Sequence, residues 1–324
     1  MKEITITTNK ITNIVNGHFH AWGWEVPVYL FLGGLTAGIL LISAIMAISK
    51  QKSKFTLSTE KLSLWAPIIL SLGMAALFLD LKHKLYVWRF YTAFEITSPM
   101  SWGSWILLFV YPLSFFLILS TIRKAYPKLN KFTESLLLKI KLDKFYNILI
   151  DFSEKNRKKI AFTVIPFAIA LGVYTGILLS AFGSRPFWNS SILGPLFLVS
   201  GLSSAVAAVI LFSKEHSEKE VFTRIDLGLL IIEVIFIIFL IIGMASSSIQ
   251  YKKALNLILG GPLTAPFWIF IFSFGLLLPG FFEVLELRGK KIPSAIAALL
   301  VIAGGLFLRF IIVEAGQMSG WLTY

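Results

Sequence analysis

The chain has 324 residues, of which 56% are hydrophobic and 15% charged, with 30 Lys and Arg against 17 Asp and Glu and no cysteine. A soluble domain carries roughly a quarter charged residues, so that class is set aside. The missing thiols exclude disulfides, cysteine-held iron–sulfur clusters and covalently attached c-type haem from this chain.

The first ten residues, MKEITITTNK, are polar, and residues 1–25 read as an outer N-terminal segment. Apolar runs follow, each long enough for the roughly 20 helical residues that cross a bilayer. Eight spans are predicted: Val26–Ser49, Leu62–Leu81, Gly103–Ile122, Ile160–Gly183, Ile192–Ser213, Ile225–Ser247, Ala265–Leu287 and Ile292–Val313. Most are apolar on every face, as lipid-embedded helices are, rather than striped as water-facing ones are. The first run exceeds the roughly 7–15 apolar residues of a signal peptide and is expected to stay as the first span. The expected fold class is an all-α integral membrane protein. Residues 26–183 and 184–324 are read as two four-helix bundles, the first carrying a basic loop at 123–159.

Eight spans put both termini on one side. That side and its loops hold 8 Lys and Arg, the opposite loops hold 21, and Arg309 lies inside the last span. Positive loops stay cytoplasmic, so both termini are expected on the outer, periplasmic side of a cytoplasmic membrane. The same asymmetry accounts for the net charge of +13 without nucleic acid. Within 123–159, Leu136, Leu137, Ile140, Phe145, Ile148 and Leu149 read as the apolar face of a helix lying on the membrane surface.

Charges inside a bilayer cost roughly 2.5–3.5 kcal/mol each on insertion scales and need a reason. Glu233 in span six and Arg309 in span eight form a candidate proton route. Glu283, Glu286 and Glu314, near span ends, read as interfacial and solvated. Asp80 closes span two at the outer edge. No histidine falls mid-span, which argues against a haem ladder across the membrane.

Two of the four histidines stand just before span one, in NGHFHAWGWE. A metal site, a ligand pocket and an interfacial anchor all fit this polar mouth. The pair His18 and His20, two residues apart, does not share a helical face and is a poor metal pair. Asn16 and His20, four apart, share one if the segment is helical. At the depth of Asp80 they would offer an acceptor, an imidazole that titrates near neutrality and a carboxylate to a lipid-soluble carbonyl ligand.

The stretches AWGWEVPVYLFLGGLTAG, LFLDLKHKLYVWRFYTAFEITSPMSWGSWILL, GVYTGILLSAFGSRPFWNSSILGPLFLVSGLSSA and LRFIIVEAGQ, in this order, resemble the NrfD-type family. These are the membrane subunits of polysulfide reductase and related molybdenum enzymes. The resemblance implies a chain without haem or iron–sulfur cluster that binds a quinone of menaquinone or ubiquinone type. It implies an iron–sulfur subunit and a molybdopterin catalytic subunit on the outer face as partners, besides the bilayer. By motif position Asn16, His20, Asp80 and Tyr174 look like its quinone ligands, with His20 and Asp80 exchanging protons. Arg89, Arg185 and Trp188 look like partner contacts. Where many relatives read DLGRP, this chain reads DLKHKLYVWRF, with Arg89 as the nearest substitute. The readings to separate are a quinone-reactive anchor, a secondary transporter and a purely structural anchor. Transporters place their sites near the midplane, whereas the polar residues here gather at one edge.

Overall fold

The computed structural model describes residues 22–49, 55–81, 83–290 and 293–320. Asn16, His18 and His20 lie outside the described residues. Among the described residues are eight helices long and apolar enough to cross a membrane: α1 Glu25–Ile48, α2 Leu57–Asp80, α3 Pro99–Leu119, α4 Arg157–Ser180, α5 Leu193–Phe212, α6 His216–Ala245, α7 Thr264–Leu287 and α8 Ser294–Met318. No strand occurs among the described residues.

The differences from the predicted spans lie at the ends. α2 starts at Leu57, through a π turn and a 3-10 turn, rather than at Leu62. α6 starts at His216 rather than Ile225, because the charged stretch before Ile225 is helical and turns Glu218 onto its buried face. α8 continues past Val313 to Met318. Arg185 caps it, donating to the carbonyls of Gln317 at 3.0 Å and Ser319 at 2.6 Å, a cation where the orphan carbonyls of a helix end need one.

α1 is the axis of the structure. It packs on α2, α4, α5 and α8, and α5 packs in turn on α4, α6 and α8. α3 leans on α4, and α7 fills the side of α6 and α8. α1 buries 72% of its most apolar window, while α6 and α7 bury 28%, so those two present most of their surface to lipid. The close approach of α1 and α5 depends on glycine. A Cβ on Gly201 would fall 2.5 Å from the Gly34 carbonyl oxygen, so no larger residue fits without parting the helices.

The basic loop folds as two helices, Pro127–Lys139 and Asp143–Lys155, joined at Lys141 with φ of 59°. Arg123 ties them back to the bundle through Asp151 at 2.6 Å and Asn147 at 3.1 Å. Arg157 donates to the Thr59 carbonyl at 2.6 Å, and Lys124 pairs with Glu60, anchoring the loop to the start of α2. Leu136, Ile140, Phe145 and Ile148 stay exposed, with Leu137 and Leu149 half-buried. That is the apolar face expected of a helix pair lying on a membrane surface.

Candidate functional site

At the end of the helices where α1 begins, a narrow cleft of about 140 Å³ opens between α1, α2, α3 and α4. Each wall has a local cause. α2 runs out at Asp80, and the chain turns back through short helical turns at Lys84–Tyr86 and Arg89–Thr92. Those turns lay Val87, Phe90 and Tyr91 along the cleft. Pro99 starts α3, its fixed φ suiting a first helical position, and brings Met100, Gly103 and Ser104 to the opposite wall.

Asp80 and Tyr174, predicted from separate spans, both line this one cleft. Asp80 is half-buried at the tip of α2. Tyr174, on α4, is 5% exposed, and its hydroxyl finds no hydrogen-bond partner among the described residues. It lies against Gly103, where any Cβ would overlap the phenol ring. Gly103 therefore makes room for the tyrosine, which explains a glycine in the WGSW stretch. Gly103→Ala is expected to push the Tyr174 ring into the cleft without preventing insertion, read as a lowered melting temperature of protein that still reaches the membrane at the parent's yield.

Two further cleft residues were not singled out from the sequence. Tyr29 on α1 is 3% exposed and neighbours both Tyr174 and Tyr91. Burial, with Tyr111 nearby, raises the Tyr91 hydroxyl above the usual phenol range, so it stays a hydrogen-bond donor at any physiological pH. Tyr29 and Tyr91 left no signal because a tyrosine in an apolar run reads as core until its neighbours are known.

Trp22, the first described residue of the polar mouth, forms part of the cleft's rim. Its backbone N–H donates to Gln317 Oε1 at 2.9 Å, and Gln317 Nε2 donates back to the Trp22 carbonyl at 3.1 Å. Its indole stacks on Trp188 with centroids 4.9 Å apart. Trp188 is itself buried, at 4% exposure, and donates Nε1–H to the Ile312 carbonyl at 2.8 Å. Of the three residues expected to face a partner, Trp188 is spent inside the chain and Arg185 caps α8. Arg89 is exposed, lying over the rings of Tyr86 and Trp88 at 4.7 and 5.7 Å.

Glu233 and Arg309 stand apart from the cleft, in the space between α5, α6 and α8. Arg309 is fully buried and donates to Ser200 Oγ at 2.5 Å, the Gly305 carbonyl at 2.8 Å and the Phe197 carbonyl at 2.8 Å. Glu233 lies beside the same Ser200, within reach of the Arg309 charge. Glu283, expected to be solvated, is instead 1% exposed. α7 turns it inward, between the half-buried Phe282 and Val284.

Comparison with known proteins matches residues 13–319 to the family described as Polysulphide reductase, NrfD. A polysulfide reductase chain of Wolinella succinogenes is 30% identical over 311 residues, covering 91% of this chain and 94% of that one. Protein NrfD of Escherichia coli is 29% identical, covering 93% of this chain and 97% of its own length. A selenate reductase subunit of Mesobacillus selenatarsenatis is 26% identical over 91% of this chain and 74% of its own.

Proposed function

Since the chain belongs to the NrfD family, we propose that the cleft binds a quinone head group. In this reading the protein is the quinone-reactive membrane subunit of a respiratory molybdopterin and iron–sulfur oxidoreductase. One observation carries it. A carboxylate and a buried tyrosine from different helices meet in a cleft whose remaining walls are mostly apolar. A flat ring with two carbonyls and an isoprenoid tail asks for this combination.

A bound quinol supplies two electrons and two protons. The protein's part is to hold the ring and manage the protons. Tyr174 and Tyr91 donate hydrogen bonds toward one carbonyl position. Asp80, at the rim, accepts a proton and passes it to the aqueous edge. His20, expected beside it, is the second acceptor, and Asn16 a further hydrogen-bond partner. Trp22 and Phe90 keep bulk water from the ring.

With no cysteine in the chain, electrons leave to a partner's cluster, which belongs on the face where the cleft opens. By the charge rule this is the outer face. The loop there exposes Leu85 at 89%, Trp88 at 55% and Phe94 at 60%, outside the spans. Apolar side chains presented beyond the bilayer, with Arg89 among them, suit an iron–sulfur subunit seated over the cleft.

The test is to purify the complex from native membranes and titrate a menaquinone analogue while following tryptophan fluorescence. Saturable quenching, lost in Trp22→Phe and weakened in His20→Ala, is the expected result. A complex with an iron–sulfur partner but no quenching leaves a structural anchor. Solute uptake by the chain alone supports the transporter reading in its place.

A further inference from the structure

α6 carries three carboxylates on its one buried face, Glu218, Asp226 and Glu233. They differ in how they are satisfied. Glu218, fully buried, accepts from the Ser58 N–H at 2.9 Å, Ser58 Oγ at 2.6 Å and Ser213 Oγ at 2.6 Å. Three donors make it a structural tie between the starts of α2 and α6.

Asp226 is different. It is fully buried, and one oxygen accepts from Ser203 Oγ at 2.6 Å while the other has no partner among the described residues. Facing it across the α6–α7 contact is Glu283, whose two oxygens also have no partner among the described residues. Thr223, one turn before Asp226 on the same buried face, has a fourth unpartnered oxygen. Neither acid is in an ion pair among the described residues. The charged groups around the pair are themselves acids, Glu233 on α6 and Glu286 on α7. Arg309 on α8 is engaged with Ser200 and two carbonyls.

Two carboxylates in a membrane interior cannot both stay ionised and unpaired, since each uncompensated charge costs several kcal/mol. Replacing either acid by an apolar residue would remove the cost, yet both are present. We propose that Asp226, Glu283 and Thr223 form a binding site for one exchangeable monovalent cation, a proton or a sodium ion. The oxygen set is too small for calcium, which takes 6–8 ligands. Glu286, half-buried one turn nearer the end of α7, faces His216 and Lys219 and gives the cation a way to the aqueous edge. The site lies outside the cleft walls and does not rest on the quinone reading.

Two measurements on the whole purified complex separate the two cations. For a proton, infrared difference spectra show a protonated carboxyl C=O stretch that shifts in D₂O and disappears in both Asp226→Asn and Glu283→Gln. For sodium, the melting temperature rises with sodium concentration but not with potassium, and both variants lose the rise. Either pattern supports the site. A parent complex that shows neither signal overturns it, as do signals that survive both substitutions. Thr223→Val keeps the charges and covers the case in which the acid variants fail to assemble. It is expected to shift the carboxyl band or weaken the sodium response, and a Thr223→Val complex identical to the parent overturns the proposal.

Discussion

Asp80→Asn is expected to cut quinol-linked turnover of the assembled complex by about 10²-fold or more, the contribution of a positioned general acid–base group. The amide keeps the shape of the side chain but exchanges one acceptor oxygen for an NH2 donor and takes no proton. Asp80 lines the cleft at the tip of α2, where a proton can reach water without crossing the apolar wall. Turnover with an artificial electron donor feeding the partner subunits directly should stay unchanged, which separates the site from assembly. Tyr174→Phe should fall between the parent and Asp80→Asn, since it deletes one hydrogen bond and leaves the ring. Parent-like quinol rates in Asp80→Asn would remove Asp80 from the site.

The second large effect concerns the α1–α5 crossing. Gly201→Val places a branched side chain where a bare Cβ already falls 2.5 Å from the Gly34 carbonyl oxygen. The obstacle is backbone, so no rotamer relieves it. Overpacking of this kind costs typically 1–3 kcal/mol where side chains can move, and more where they cannot. The expected outcome is a sharp fall in folded protein in the membrane, read by detergent-solubilised yield and melting temperature. Gly228→Ala on α6 is the control: nothing lies within 4 Å of its Cβ position, and it should behave as the parent does. Equal yields for the two variants would show that the crossing tolerates spreading.

The eight spans were legible because bilayer helices leave a length and hydropathy signal that owes little to tertiary contacts. The span boundaries were less so. α6 hid its first turns because Glu218, read along the chain, looks like a loop charge and reveals its burial only when Ser58 comes alongside. Asp80 and Tyr174 were singled out through motif position, and that both line one cleft is what the helix packing adds. Tyr29 and Gly103 were hidden for a related reason. A tyrosine and a glycine in apolar runs take their meaning from the residue across the helix contact, which no local pattern encodes. Trp188 misled in the opposite direction. A tryptophan beside arginine at a span end reads as an outward-facing contact, but stacking on Trp22 and the bond to Ile312 draw it inside.

The clasp between Trp22 and Gln317 has a consequence for the order in which the protein is made. The first helix enters the membrane early in synthesis, yet the residue that holds its leading tryptophan in place is at the end of the eighth. A ribosome must deliver nearly the whole chain before that rim of the cleft can close. Partly made or truncated chains therefore insert without a finished pocket, and a partner subunit that recognises the closed rim would dock only on completed copies.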